Sequence, residues 1–254
     1  MLMLPLYQNV TRFFESLGQL TQLIGETLYY VMRGDVEFRN TLKQMVALGV
    51  ESIPIVFIIS GFTGMVFSLQ VSQEFQRFGV TSLIGQLLGL AIVRELGPVL
   101  TGVVVAGRAG SAIAAELGTM KVTEQVDALK ALATSPIQYL VAPRFLACVI
   151  MVPVLTVFAN LIGLLGGYIV AVYQVGVIPQ VFFESAISFL EIYDLFASLL
   201  KASIFGVIIV LAGCHKGLNT NKGAQGVGDA TISSVVSGMM GIFIANYILS
   251  ALLF

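Results

Sequence analysis

From about residue 45 to the end, this chain keeps returning to apolar runs long enough to cross a bilayer, near 45–69, 80–115, 145–175, 195–213 and 231–254. A span needs roughly 20 apolar residues, and within lipid its backbone groups must be satisfied internally, which a helix does. Of the 254 residues, 57% are hydrophobic and 11% charged, too little polar surface to coat a soluble domain of that length. The chain therefore reads as an all-α integral membrane protein with five spans. A net charge of −1 without any basic tract excludes phosphate-backbone binding, so no nucleic-acid partner is expected.

Residues 1–44 precede the spans and lack the ordered regions of a cleavable signal peptide. Val10, Phe13, Phe14, Leu17, Leu20, Ile24, Leu28 and Val31 follow a 3.6-residue period, while Arg12, Glu15, Gln19, Gln22 and Glu26 fall on the other side. That pattern predicts a helix lying in the membrane interface. Two regions result: 1–44, an interfacial amphipathic helix, and 45–254, a single transmembrane domain. Within the latter, polar residues 70–78 predict a short link, and Gly97-Pro98 predicts a kink or a re-entrant start.

Basic residues set the orientation. Arg12, Arg33, Arg39 and Lys43 precede the first span, Lys121, Lys130 and Arg144 follow the second, and Lys216 and Lys222 follow the fourth, whereas the opposite loops offer Arg77 and the acids Glu184, Glu191 and Asp194. The positive-inside rule places the N-terminus, the 116–144 segment and the 214–229 loop in the cytoplasm and the C-terminus outside.

Between the second and third spans, 116–135 turns abruptly polar. Val122, Val126, Leu129 and Ala133 recur at helical spacing, Thr123 fits an N-cap, Glu124 and Asp127 fall in the first turn, and Thr134-Ser135-Pro136 stops the helix. A helix of about ten residues is marginal alone, so this one is expected to pack on another protein.

Charges inside the apolar runs point to function. Arg94 and Glu95 lie deep in the second run, Lys201 in the fourth, and Glu51 near the cytoplasmic end of the first. Each is costly against lipid, so each faces a partner or a wet cavity. Two readings stand: ion pairs that lock helices together, or a pocket for a charged lipid headgroup, since Arg and Lys suit phosphate oxygens. Small residues at four-residue spacing, such as Gly85 and Gly89, Gly163 and Gly167, or Ser233 and Ser237, favour close helix approach within the chain or between two copies.

Other chemistry finds no support. In GLNTNKGAQGVG, Gly223 follows Lys222 instead of preceding it, so the loop is no Walker A motif and reads as a surface turn. His215, the single histidine, has no companion ligands nearby and is placed at a loop surface; one histidine also denies the chain a hydrolase triad. Cys148 and Cys214 sit in or beside apolar runs as small hydrophobes. Neither a catalytic residue, nor a metal, nor a cofactor of its own is expected.

Arg94-Glu95-Leu96-Gly97-Pro98, Ala106-Gly107-Arg108-Ala109-Gly110-Ser111-Ala112 and Glu116-Leu117-Gly118-Thr119-Met120-Lys121-Val122-Thr123-Glu124-Gln125-Val126-Asp127-Ala128-Leu129 together resemble the signature of the MlaE (YrbE-type) permeases, membrane subunits of ABC transporters that move lipids. The likeness continues through Pro143-Arg144 and Cys214 to Asp229, covering most of the chain from about Glu51. One departure is Asn246-Tyr247, where the family pattern has an Asp before the aromatic residue.

The resemblance implies a homodimer carrying phospholipid or a similar lipid; on the pocket reading of the charges, Arg94, Glu95, Lys201 and Glu51 belong to the substrate pocket. It implies a separate ABC ATPase that binds ATP and Mg²⁺ and docks on the short helix, where Glu116, Lys121, Thr123, Glu124, Asp127 and Leu129 are the coupling candidates. It further implies an MCE-domain protein on the other side, and a bacterial inner membrane or plastid inner envelope. The rival readings are an ATP-independent secondary transporter or channel, and the same transporter class with sterol or other apolar cargo.

Overall fold

The computed structural model describes residues 3–78, 80, 83–221 and 223–254, with side chains in the first helix from residue 14 on, residue 16 excepted. The side chains of Val10, Arg12 and Phe13 of the amphipathic pattern, and Lys222 altogether, lie outside what is described. Every regular element described is helical: α1 (Met3–Arg33), α2 (Phe38–Phe78), α3 (Ile84–Val122), α4 (Gln125–Ala131), α5 (Ile137–Tyr173), α6 (Pro179–Ser188), α7 (Ile192–Leu218) and α8 (Gly223–Leu253). Among the described residues, α2, α3, α5, α7 and α8 are the five helices long and apolar enough to cross a membrane.

The spans outrun the apolar runs that announce them. Residues 70–78, expected as a link, are the last turns of α2, because an established helix adds one hydrogen bond per residue even in polar sequence. Arg77 pairs with Glu74 there at 3.2 Å. The acidic stretch after α5 contains α6, which the sequence reading did not foresee; it opens on Pro179 and buries Phe182 against Tyr168, ring centroids 5.5 Å apart. His215, expected in a loop, lies in the last turn of α7, and Gly226 and Gly228, expected in a surface turn, are inside α8.

Gly97-Pro98 does not break α3. A π-helical turn, Ile92–Leu96, immediately precedes it, with Gly97 N–H bonded to the Ile92 carbonyl, and the α-helix resumes with Pro98 in its first turn. Proline is tolerated there because a first-turn N–H lacks a helical partner anyway. Further π-helical turns occur at Met45–Gly49 in α2, Ala106–Gly110 in α3 and Ile137–Val141 at the start of α5.

α5 forms the centre, with α2 on one side and α7 on another. The α2–α5 crossing is close because Gly64 lies against Gly163, where an added Cβ would run into the Gly163 carbonyl, and Ser68 Oγ donates to the Gly167 carbonyl at 2.9 Å. Several small-residue positions are thus used within one chain: Gly85 packs on α6, Gly163 and Gly167 on neighbouring helices, and Ser234 Oγ donates to the Gly110 carbonyl. Phe205, Ile209, Leu155 and Ile113 fill the core between, with Cys148 and Cys214 buried and free among them, as small hydrophobes. α1 packs Leu20, Leu23, Ile24 and Val31 onto this core, leaving Phe14, Leu17 and Leu28 exposed.

Candidate functional site

Three of the four candidate charges converge. Arg94 and Glu95 leave α3 from the π-helical turn, and Lys201 meets them from the third turn of α7, its side chain 0% exposed. The Lys201 ammonium donates to Glu95 Oε1 at 2.9 Å, to Ser250 Oγ at 2.8 Å and to the Arg94 carbonyl at 3.0 Å, using all three of its protons. Ser250 Oγ donates to Glu95 Oε1 at 2.8 Å, and Asn246 Nδ2 donates to Glu95 Oε2 at 2.9 Å. Three spans are therefore tied together by one carboxylate.

Arg94 turns the other way, as adjacent helical residues must. Its Nε lies 2.8 Å from Asp194 Oδ1, an ion pair whose N–H is not aligned as a hydrogen bond. Asp194, 1% exposed, accepts the Glu191 backbone N–H on its other oxygen at 3.1 Å. The Phe254 ring covers both cations, 4.6 Å from the Arg94 guanidinium carbon and 5.0 Å from Lys201 Nζ.

Two cations and two acids sum to zero here, so the cluster is neutral while its accessible edge is charged: the Arg94 side chain is 34% and the Glu95 side chain 40% exposed. Asn246 Oδ1 is buried without a donor. The arrangement can present a guanidinium face and a carboxylate edge to a ligand at membrane depth, on a base of buried Lys201 and Asp194.

Glu51 is not part of this cluster. It pairs with Arg108 at 2.6 Å, and Arg108 also donates to the Ala47 carbonyl and Ser52 Oγ, both at 2.9 Å, stitching α3 to the irregular turn of α2. Arg108, Asp194, Ser250 and Asn246 were not chosen as site residues from sequence. Asp194 carried a signal, as an acid in the first turn of a span; Ser250 carried none, because serines recur throughout the apolar runs.

At the polar end, α3 stops at Val122, where Thr123 Oγ1 donates back to the Thr119 carbonyl at 2.8 Å. Thr123 therefore closes α3 and does not cap the next helix; the capping position belongs to Glu124, at a left-handed φ of 61°. α4 packs Val126 and part of Leu129 inward and exposes Glu124 and Asp127. Lys121 bonds Asp127 at 2.9 Å, and this bond holds the Asp127 carboxyl below its ordinary range. Glu116 reaches back to Arg144, buried at the start of α5, at 2.7 Å. An open cleft of about 370 Å³ between α1, α4 and the end of α7 is lined by Gln22, Glu26, Lys121, Lys130, His215 and Asn219 among others.

Against known proteins, residues 41–252 match the family model described as Permease MlaE. A probable ABC transporter permease protein of Synechocystis sp. is 46% identical over 246 residues, covering 97% of this chain and 94% of its own. One from Rickettsia typhi is 39% identical over 247 residues, covering 97% and 95%. The chloroplastic protein trigalactosyldiacylglycerol 1 of Arabidopsis thaliana is 40% identical over 232 residues, covering 91% of this chain and 66% of its own.

Proposed function

The chain belongs to the MlaE family of ABC transporter permeases, and from that premise we propose that it carries phospholipid, or a similar lipid, between membranes as the permease subunit of such a transporter. The observation that carries this reading is the half-open charge cluster. A purely structural ion-pair network gains nothing from an accessible guanidinium, whereas a phosphate-bearing headgroup is matched by one. A relative named for a galactolipid, trigalactosyldiacylglycerol, agrees with lipid cargo.

Two copies pair so that the accessible edges of their clusters face a shared cavity. Energy comes from a separate ATPase that supplies the ATP and Mg²⁺ chemistry and engages α4 through Glu124 and Asp127. An MCE-domain protein receives or delivers lipid at the opposite end. The positive-inside distribution puts α1 and α4 on the cytoplasmic side, with α1 in the interface, in a bacterial inner membrane or plastid inner envelope.

The test is purification of the chain with its genomic neighbours, followed by lipid identification and lipid-stimulated ATP hydrolysis. Copurified phospholipid that falls in Arg94→Ala, together with an ATPase that coelutes, is expected. A chain that transports without any ATPase is instead a secondary transporter, and the reading fails.

A further inference from the structure

A second concentration of charge lies away from the central cluster, on the outer face of the first span. Arg39, Leu42, Lys43, Val46, Ala47 and Glu51 line an open groove of about 450 Å³ along α2. Arg39 and Lys43 stand one turn apart on an exposed face, and among the described residues neither makes an ion pair. Glu51, the acid at the far end, is neutralised by Arg108 at 2.6 Å, so it does not cancel them. Leu42, Val46 and Val50, 45%, 52% and 46% exposed, continue the face toward the apolar part of the span.

From Arg39 to Glu51 the helix rises about 18 Å, enough to run from the headgroup layer well into the hydrocarbon. Two free cations above an apolar groove at that depth match one kind of occupant, an amphiphile with an anionic head and parallel chains. We propose that this groove is a binding site for an anionic phospholipid of the cytoplasmic leaflet, its phosphate between Arg39 and Lys43 and its acyl chains along Leu42, Val46 and Val50. The sidedness rests on the orientation given under the proposed function; the binding chemistry does not. Arg108 has a positioning role, holding the irregular turn of α2 through the Ala47 carbonyl and keeping Glu51 engaged.

The experiment is native mass spectrometry of the purified full chain, with its ATPase where that coelutes, titrated separately with phosphatidylglycerol and phosphatidylcholine and then challenged with inorganic phosphate. Arg39→Gln with Lys43→Gln is expected to weaken phosphatidylglycerol binding about ten- to thirty-fold, the effect of removing two juxtamembrane cations, and to weaken phosphatidylcholine, whose choline offsets its phosphate, much less. Both residues are exposed, so an unaltered melting temperature is expected, and Arg39→Lys with Lys43→Arg retains binding. Leu42→Ser with Val46→Ser is expected to weaken both lipids. Unchanged phosphatidylglycerol affinity in the Gln pair overturns the site, as does equal loss of both lipids in that pair. Displacement by millimolar inorganic phosphate also overturns it, because the occupant is then a free anion. Failure of the transporter reading looks different: phosphatidylglycerol still binds and still depends on Arg39 and Lys43, while lipid-stimulated ATP hydrolysis is absent.

Discussion

The Lys201 ammonium donates at 3.0 Å to the backbone carbonyl of Arg94, the oxygen four residues before Pro98. Proline has no N–H, so it cannot supply the donor that this carbonyl would receive in a regular helix. A buried carbonyl left bare costs about 1–3 kcal/mol, and a lysine from another span removes that cost. The irregular turn in α3 and the buried cation of α7 are therefore one device: the first exposes an acceptor, the second requires one.

This pairing makes Lys201 structural first. Lys201→Ala strands Glu95 and the Arg94 carbonyl and is expected to destabilise the protein by about 3–5 kcal/mol, with Lys201→Met combined with Glu95→Gln recovering much of that loss. Thermal unfolding in detergent reads both. A double variant destabilised by the sum of the two single losses would show that the two residues act independently.

Arg94 is expected to behave differently. Arg94→Ala leaves Asp194 buried with only the Glu191 N–H, so some stability is lost, and Asp194→Asn in the same background restores it to within about 1 kcal/mol of the parent. Copurified phospholipid remains low in both, because the guanidinium is absent from each. Lipid returning with stability would assign Arg94 to packing alone.

Asn246 meets Glu95 as a donor in an electrically balanced cluster. Asn246→Ala removes one hydrogen bond to a charged group, about 1.5–3 kcal/mol. Asn246→Asp also sets a second carboxylate against the first, and is expected to lower the melting temperature further than Asn246→Ala. The reverse order would mean that a cation bound in the cluster compensates the added charge.

At α4, Glu124→Lys with Asp127→Lys is expected to reduce ATPase coelution about tenfold or more while leaving the melting temperature essentially unchanged, since exposed ion pairs contribute little to stability. The Lys121 hydrogen bond holds the Asp127 carboxyl below its ordinary value of 3.8. Its contribution is fully present above that value and is lost only as pH falls through the depressed one. ATPase association measured between about pH 5 and 8 is accordingly expected to show no transition from this pair; one that disappears in Asp127→Asn would contradict the assignment.

Glycine contacts separate packing from propensity. Gly64→Ala drives a Cβ into the Gly163 carbonyl where α2 crosses α5, and is expected to destabilise by about 2 kcal/mol or more. Gly18→Ala, on α1, meets nothing within 4 Å and is expected to be neutral or to stabilise by up to about 1 kcal/mol. Circular dichroism melts of the two variants check the contrast.

What the sequence determined by itself was whatever follows from local composition. Lipid admits only chains that satisfy their own backbones, so apolar runs of sufficient length dictated five helices, and basic residues beside them supplied an orientation to test. The ends of those helices were not legible, because a helix once begun continues into polar sequence, as residues 70–78 and His215 did. Family membership was readable in the residues from Arg94 to Leu129, since that long motif is contiguous. The partners of the buried charges were decided only by the tertiary structure. Arg94 and Glu95 are neighbours in sequence, yet a helix turns them about 100° apart, one toward Asp194 and the other toward Lys201, Asn246 and Ser250. Glu51, grouped with them by hydropathy, was claimed by Arg108 elsewhere. Hydropathy reports how deep a charge lies along a span; which neighbour it meets depends on the rotation of each helix about its axis, and that is set by contacts such as Gly64 on Gly163, between residues far apart in the chain.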